Sequence, residues 1–575
     1  MRDLKSLIRN SHGGWLRDLL LLTLVLGIPF LQYLGGLPLI DPDEGRYAEI
    51  PREMLERGDL ITPTLNYVKY FEKPPLLYWA NALSLKLFGL NETAARLPSA
   101  LFGLATVLAT YIIARRLYGR RVALLSAAML GTTAGFVLQS RIILTDMLLT
   151  FCLTVALGAF IIGATDHHRR SSARTWYTFY LFCGLAVLAK GLIGIVFPAG
   201  IIFFYLLVTR EWQVIGRMRL IGGLSLFAAV TVPWFVAVSL RNPEFPQFFF
   251  IHEHFQRFTS TVHGRYQPVW FFVPVLLGTM LPWSFYIPGS LWRGWRDRHH
   301  DEGRAGIYLL VWSVLIFLFF SKSNSKLVPY LLPIFPALAI MVAQRFDSTI
   351  EGRGRDMVLP SAFLGMVLAL LAAAAAGYSY LGGIADLLAG VFPSQADAMR
   401  RFSDVMPMVP RWATLVIAAL FLIQAAALLY RPGRFPLQVA GVLCSASLLL
   451  QIVIPRTVMA DIARTESVRD MARAAQPRMT RDTRVVTFGP MQGVPWYLKQ
   501  RVMVTGKLDE LTFGSTQEGQ SAWFPDQADF SRMWLSDTPV LVFLKKHEFE
   551  KFAPEMKARG RIVKESGRFL LVANN

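Results

Sequence analysis

Long apolar runs alternate with short polar connections along most of this chain. Runs at residues 19–34, 101–113, 147–163, 220–240 and 363–376 reach, with their weakly polar flanks, roughly the 20 residues that a helix needs to cross about 30 Å of hydrocarbon. Lipid offers the backbone no hydrogen-bond partner, so each run is predicted to be helical. Counted along the whole chain, the pattern predicts a polytopic α-helical membrane protein with about 13 transmembrane helices.

The positions of the arginines predict which side of the membrane each connection faces. Arginine clusters occupy every second connection, for example at residues 115–121, 169–174 and 210–219. The positive-inside rule places these clusters in the cytoplasm and the complementary connections, including residues 37–92 and 241–269, outside. Because the arginines follow the membrane topology, the formal charge of +20 does not indicate a nucleic-acid partner.

The pattern changes near residue 456, which divides the chain into a membrane domain, residues 1–455, and a soluble domain, residues 456–575. An odd number of spans places the second domain outside. Helical stretches are predicted at 462–475 and 548–559, so this is a small α/β domain. Its short alternating runs, predicted to be strands, lie at 484–488, 502–504, 540–544, 562–563 and 569–572.

An acidic stretch follows the first span directly. Asp43 and Glu44 stand there beside Asp41, and Arg46 and Tyr47 come next. One interpretation is an interfacial turn whose acids favour the positive end of a following helix. The other is a substrate site, since acids at the edge of a membrane span are candidates for function.

The same external connection continues into Tyr70, Glu72 and Lys73, followed by two prolines. A lysine at the membrane surface often only extends toward lipid headgroups. Lys73 would alternatively hold an anionic lipid phosphate as a point charge. Tyr70 and the later Tyr330 are candidates for contacting a carrier phosphate or a sugar, although interfacial tyrosines are also common membrane anchors.

Two further external turns carry charged residues at the mouths of spans. Asp146 begins one span, and Lys190 lies in the next external turn. External lysines oppose the topological rule, and an external anion would explain them. We therefore predict that Lys190 contributes to binding an anionic substrate.

The connection at residues 241–269 contains a possible metal ligand. His252 and His254 are two positions apart, a spacing that suits shared ligation from a strand better than from a helix. Together with Glu72, His252 would hold a divalent metal such as zinc. Solvated histidines explain the same residues without a metal.

The order of these motifs resembles a known superfamily. Taken together on one side of the membrane, they are similar to the dolichyl-phosphate-mannose protein mannosyltransferase superfamily of GT-C glycosyltransferases, and within it to the bacterial lipid A aminoarabinose transferases. The resemblance covers essentially the whole chain. It is carried by the acidic stretch and by Lys73-Pro74-Pro75, Thr145-Asp146, Lys190-Gly191-Leu192 and Pro329-Tyr330-Leu331-Leu332-Pro333.

The resemblance implies a GT-C fold and an inverting transfer of 4-amino-4-deoxy-L-arabinose. The donor would be an undecaprenyl phosphate sugar and the acceptor a phosphate of lipid A, in the periplasmic leaflet of a bacterial inner membrane. This modification of lipopolysaccharide confers polymyxin resistance in the family. Position by position, Asp43 and Asp146 would be the two acids of the site. Lys73 would hold the carrier phosphate with help from Arg257 or Arg265.

The residues leave the role of the acids and the acceptor open. A hydroxyl acceptor, as in transfer of mannose to protein Ser or Thr, needs a general base, which Asp43 would supply. A phosphate acceptor needs none, and Asp43 and Asp146 would then bind the sugar ammonium group and stabilise an oxocarbenium-like transition state. A non-enzymatic flippase would instead place acids at mid-span between interrupted helices, which the sequence does not show.

Overall fold

The computed structural model of the protein describes residues 14–165, 172–256, 267–298, 303–352, 357–381, 411–430 and 436–574. Most of these residues up to Arg456 are helical. The helices of this part are α1 (Trp15–Leu31), α2 (Asp43–Arg57), α3 (Leu76–Phe88), α4 (Glu92–Tyr118), α5 (Arg120–Thr132), α6 (Ala134–Ser140), α7 (Thr145–Thr165), α8 (Ala173–Lys190), α9 (Ile193–Thr209), α10 (Gln213–Arg217), α11 (Leu220–Arg241), α12 (Phe272–Thr279), α13 (Ile287–Arg296), α14 (Arg304–Lys322), α15 (Phe335–Ile350), α16 (Val358–Leu381), α17 (Arg411–Tyr430) and α18 (Pro436–Arg456).

The helices confirm a polytopic membrane protein. Within the described ranges, eight helices are long and apolar enough to cross a membrane, or up to ten if each of two bent pairs is one span. Helix α9, with 17 residues, is apolar but shorter, and the number of thirteen spans stays a prediction. All three cysteines are free, and two of them are buried.

Two spans are broken, which the sequence analysis did not predict. Helices α5 and α6 meet at an angle of 65°, and the pair that contains α12 and α13 is bent by 118°. The two breaks contact each other, because the Ala134 N–H donates to the Leu281 carbonyl at 3.0 Å and the Trp283 indole donates to Thr132 at 3.3 Å. These bonds satisfy groups that lipid would leave unpaired. The residues at the contact are uncharged, unlike the mid-span acids that a flippase would require.

The polar helix α2 is buried between the membrane helices and the C-terminal domain. Its charged residues Glu49, Arg52 and Glu53 are each at most 4% exposed. A Cβ atom placed on Gly45 would lie 2.4 Å from the Gly493 backbone nitrogen, so only glycine fits at this contact. The external connection continues through a two-stranded hairpin, β1 (Thr64–Leu65) and β2 (Val68–Lys69), into α3.

The C-terminal domain is the predicted α/β unit. Its sheet has the order β4-β3-β5-β7-β6, with β3 parallel to β4 and β5, and β7 antiparallel to both of its neighbours. All five predicted strands are present. The strands are β3 (Arg484–Phe488), β4 (Met503–Thr505), β5 (Val540–Lys545), β6 (Arg561–Ser566) and β7 (Phe569–Ala573).

The helices of this domain are more fragmented than predicted. The stretch at 462–475 is two helices, and so is the stretch at 548–559. The longer prediction fails at 466–468, where the Glu466 carbonyl accepts a hydrogen bond from the Asp41 N–H at 3.1 Å. The helices are α19 (Val458–Thr465), α20 (Arg469–Ala475), α21 (Gly493–Leu498), α22 (Thr512–Ser515), α23 (Gln527–Leu535), α24 (Lys546–Phe549) and α25 (Pro554–Arg559).

Asp41 joins the first external connection to the C-terminal domain. Its side chain is 6% exposed, and its Oδ1 accepts the Gly493 N–H at 2.6 Å. The other oxygen, Oδ2, is buried without a hydrogen-bond partner among the described residues. Burial is the main cause that raises the pKa of the Asp41 carboxyl to about 7.

This raised pKa predicts a pH-dependent stability. The folded protein holds the Asp41 proton up to about pH 7, whereas the unfolded chain loses it near 3.8. The stabilisation is therefore complete below pH 3.8 and is lost as pH rises to 7, by up to about 1.4 kcal/mol per pH unit. We expect wild type to lose thermal stability relative to Asp41→Asn between pH 5 and 7, measured by unfolding in detergent. Parallel curves for the two proteins would contradict this.

Candidate active site

Residues from four external connections converge on one cavity of about 240 Å³. The connections follow α1, precede α7, follow α8 and precede α15. Charge alternation places all four on the same side of the membrane, so their convergence agrees with the predicted topology. The cavity is lined by Ile40, Asp41, Asp43, Glu44, Arg46, Tyr47, Glu72, Lys73, Ile142, Leu144, Thr145, Asp146, Lys190, Leu327, Pro329 and Tyr330.

Arg46 lines the cavity and binds two carboxylates. Its guanidinium forms ion pairs with Asp43 on the same helix and with Glu510 of the C-terminal domain. Arg46 is nearly buried, whereas the Asp43 side chain is 49% exposed. Asp43 is therefore held by a fixed cation while its carboxylate remains open to the cavity.

Glu510 is a residue that the sequence analysis missed. Its side chain is 12% exposed, and burial, with the neighbouring charges of Glu72 and Asp43, raises the pKa of its carboxyl group despite the contact with Arg46. The segment around Glu510 has no motif that distinguishes it from an ordinary surface helix. Only the folded contact between the two domains reveals the position.

Asp146 and Lys190, which also line the cavity, form an ion pair. The Lys190 ammonium donates to Asp146 Oδ1 and lies 4.5 Å from the centre of the Tyr330 ring. Each side chain of the pair is 9% exposed. Lys190 thus has a carboxylate and an aromatic partner within the protein, which explains an external lysine without requiring an external anion.

Lys73 and Glu72 line the cavity next to each other. Its ammonium donates to the Glu72 carbonyl at 2.8 Å and is 3.9 Å from Glu72 Oε2. Tyr70 does not line the cavity. Its buried hydroxyl has no hydrogen-bond partner among the described residues, and it is close enough to Arg46 and Glu510 to interact electrostatically.

Glu44 lines the cavity, and its carboxylate forms a buried ion pair with Arg96. Both of its oxygens accept hydrogen bonds from Arg96, at 2.8 and 2.6 Å, and the pair is almost fully buried. Arg96 also donates to three carbonyls at the end of α1, those of Leu34, Leu37 and Pro38. Glu44 therefore fixes α2 against α1 and α4, and its contact with a substrate stays a prediction.

Some predicted residues lie outside the described part of the chain. These are Arg257, Arg265 and the side chain of His252. The backbone of Gln247–Gln256 is a π-helix, not the strand that would suit shared ligation by His252 and His254. The described residues contain no group of three or more His, Cys, Asp or Glu side chains that could hold a metal ion. Zinc binding by Glu72 and His252 stays a prediction.

Two family models match the chain. Residues 39–249 match the model described as dolichyl-phosphate-mannose-protein mannosyltransferase. Residues 471–574 match the aminoarabinose transferase C-terminal domain. The first match contains all four of Asp43, Lys73, Asp146 and Lys190, and the second contains Glu510.

Individual relatives extend the similarity over nearly the whole chain. The undecaprenyl phosphate-alpha-4-amino-4-deoxy-L-arabinose arabinosyl transferase of Erwinia tasmaniensis is 34% identical over 62% of this chain, an alignment that spans 64% of that protein. The enzyme of the same name from Edwardsiella ictaluri is 29% identical over 87% of each chain. The crystal structure of ArnT from Cupriavidus metallidurans bound to undecaprenyl phosphate matches with a TM-score of 0.81 and 30% identity, covering 98% of this chain and 99% of that one.

Proposed function

Because this chain belongs to the aminoarabinose transferase family, we propose that it transfers 4-amino-4-deoxy-L-arabinose from undecaprenyl phosphate to a phosphate of lipid A. The transfer is catalysed in the cavity between α2 and the starts of α7 and α15. We further propose that the protein lies in a bacterial inner membrane with this cavity facing the periplasm. The product would then confer polymyxin resistance.

The observation that carries this proposal is the pairing of opposite charges in one cavity. Lys73 supplies a cation for a lipid phosphate, and Asp43 supplies a half-exposed carboxylate for an ammonium group. A donor that contains both a phosphate and an aminosugar matches this arrangement. A neutral sugar such as mannose has no positive charge to match the exposed side of the Asp43 carboxylate.

The reaction requires one bond to form and one to break. A phosphate oxygen of the acceptor attacks the anomeric carbon from the face opposite the carrier, and the bond between that carbon and the carrier oxygen breaks. Undecaprenyl phosphate leaves with the electron pair, and the configuration inverts. The acceptor phosphate is already anionic, so no base has to remove a proton. The main catalytic demand is stabilisation of the charge on the leaving phosphate, which preorganised cations such as Lys73 meet.

Asp43 acts on the sugar side of the same step. Positive charge develops on the sugar ring in the transition state, and Asp43 stabilises it while holding the ammonium group. Asp146 is neutralised by Lys190, so its contribution is to fix the lysine and Tyr330 as one wall of the cavity. Arg46 keeps Asp43 in place through their ion pair.

The direct test is the mass of lipid A from cells that lack their own aminoarabinose transferase. Cells that make the donor lipid and express this protein are expected to gain the mass of one aminopentose on lipid A. Membranes assayed with a Ser/Thr peptide and a mannosyl lipid should give no product. Transfer to the peptide instead, or no mass gain from a correctly inserted protein, would reject lipid A as the acceptor.

Glu510 is predicted to be a positioning residue that acts through Arg46. Glu510→Gln removes one of the two carboxylates that hold the Arg46 guanidinium. Arg46 would then rotate toward Asp43 and pull the Asp43 carboxylate away from the substrate. We expect kcat to fall about tenfold with little change in the KM of the donor. Steady-state rates with purified donor and lipid A measure both constants.

Two variants separate positioning from a purely structural role. Glu510→Asp keeps the negative charge and should recover part of kcat. If Glu510 only supported the contact between the domains, the Asp and Gln variants should have the same kcat. Asp509→Asn, next to it, changes an exposed carboxylate whose partner is Lys507 and should behave as wild type. Equal activity of Glu510→Gln and wild type would show that Arg46 needs only Asp43.

A further inference from the structure

A second cavity, of about 270 Å³, lies within the membrane domain on the far side of the turn at residues 140–146. It is enclosed by the two broken spans and by α16, α17 and α18. Its walls are almost entirely apolar, with side chains such as Val137, Leu138, Leu368, Phe421, Leu450 and Ile454. Such a volume suits a hydrocarbon chain.

One basic residue lines this apolar cavity. The Arg141 side chain is only 5% exposed, and it donates to the carbonyls of Pro29 and Gln32 at 2.5 and 2.7 Å. These bonds cap the end of α1, whose dipole offsets about half of a charge. The described residues provide Arg141 with no carboxylate, and its Nε has no hydrogen-bond partner among them. Burial, followed by the nearby Arg96 and Arg456, lowers the pKa of Arg141 to about 10.

A second arginine, the exposed Arg456 at the end of α18, is close enough to Arg141 to interact with it electrostatically. The Arg456 guanidinium donates to the Gln32 side chain and to the Ile452 carbonyl, and it forms no ion pair with a described carboxylate. Two neighbouring cations without anionic partners favour a ligand with a negatively charged head group. Together with the apolar walls, they indicate an anionic amphiphile.

Gln451 adds an independent observation inside the same cavity. It is 9% exposed and lines the cavity, and both polar atoms of its side-chain amide are buried without hydrogen-bond partners among the described residues. Burial of an amide without hydrogen-bond partners is unfavourable, because the group loses its bonds to water and gains none in return. A ligand that carries an amide, ester or hydroxyl group next to its hydrocarbon chain would satisfy Gln451.

The two cavities share one wall. Arg141 faces the apolar cavity, while Ile142, Leu144, Thr145 and Asp146 line the active-site cavity. A lipid whose chain occupies the apolar cavity therefore has its head group at the turn that carries Asp146. Because donor and acceptor are both lipids that remain in the membrane, each needs its own apolar entrance to the polar site.

We propose that the second cavity binds an acyl chain of the acceptor, lipid A, and that Arg141 and Arg456 bind its anionic head group. This inference rests on the function proposed above and specifies where its acceptor docks. Lipid A carries phosphates, hydroxyl groups and amide-linked or ester-linked acyl chains, which match the arginines, Gln451 and the apolar walls respectively. The isoprenoid donor has no such groups along its chain.

The test compares acceptors with and without acyl chains on the full-length protein in nanodiscs. Leu138→Trp fills the cavity from its wall, and Leu224→Trp, an exposed apolar position on α11, is the matched control. We expect Leu138→Trp to raise the KM for hexa-acylated lipid A about tenfold, the effect of losing roughly two buried methylene groups. The KM for the donor and for a deacylated, phosphorylated glucosamine disaccharide should not change, and the control should match wild type.

A photoreactive lipid A with a diazirine on one acyl chain provides a second readout without the donor. The inference is supported if the probe labels cavity residues and if an excess of unmodified lipid A suppresses this labelling while phosphatidylglycerol does not. Suppression by phosphatidylglycerol, or an unchanged KM for lipid A in Leu138→Trp, would show that the cavity holds only bilayer lipid. A raised KM for the donor would assign it to the isoprenoid chain. If wild type modifies neither acceptor, the proposed function fails, and the labelling still decides whether lipid A binds here.

Discussion

Asp43→Asn is expected to reduce aminoarabinose transfer about a thousandfold, the upper range for losing one preorganised charge at a reaction centre. Asparagine has nearly the same size, so the cavity keeps its shape, but the ammonium group of the sugar and the developing positive charge lose their carboxylate. Arg46 would also keep only Glu510 as an anionic partner. Initial rates with purified donor and lipid A measure the loss of activity, and an unfolding curve in detergent checks that the variant folds.

The matched control is Asp59→Asn, just beyond the end of the same helix. Asp59 pairs with Arg241 at 3.1 Å and caps the Ile61 N–H, and it does not line the cavity. Its variant should keep activity within about twofold of wild type, since exposed ion pairs contribute little. If Asp43→Asn retained more than a tenth of wild-type activity, the carboxylate would not be part of the reaction centre.

A donor with a neutral pentose separates the two roles considered for Asp43. If the carboxylate binds the ammonium group, wild type should lose much of its rate with the neutral donor, and Asp43→Asn should lose little more. If the carboxylate acts as a general base, Asp43→Asn should lower the rate by the same factor with both donors. The comparison is a double-mutant cycle in which the second change is made on the substrate.

The sequence predicts the membrane fold well because its signals are local and repeated. Each span needs only a continuous apolar run, and each orientation needs only arginines at one end, as at 115–121. The strands of the C-terminal domain follow from short alternating runs such as Val540–Lys545. The cavity could be anticipated for the same reason, since Asp43, Lys73 and Asp146 each stand next to a predicted span boundary.

Features that depend on long-range contacts could not be predicted in this way. Glu510 is 464 residues from Arg46, and no local pattern marks it. The buried ion pair of Glu44 joins it to Arg96, 52 positions away, and no local pattern in the sequence indicates that contact. The broken spans look continuous in sequence. The backbone groups at one break bond to the other break, as the Ala134 N–H does to the Leu281 carbonyl, and this partner is distant in the chain. In each case the deciding partner comes from a distant part of the chain.

Lys73→Met is expected to lower kcat by about 100-fold or more, with a smaller rise in the KM of the donor. Methionine preserves the length and apolar part of the side chain but removes the cation that stabilises the leaving phosphate. Charge on that phosphate grows as the bond to the sugar breaks, so the lost interaction is stronger in the transition state than in the bound donor. Single-turnover rates with saturating donor isolate this effect from binding.

Lys69→Met is the matched control, because Lys69 lies four positions earlier in the same connection. Its ammonium pairs with Glu244 at 2.5 Å, it is 34% exposed, and it does not line the cavity. Lys73→Arg should recover only part of the rate, because the guanidinium keeps the charge but differs in shape from the ammonium. If Lys73→Met instead raised the KM alone, the lysine would bind the carrier phosphate equally before and during the reaction. Stabilisation of the leaving group would then have to come from another cation at the cavity.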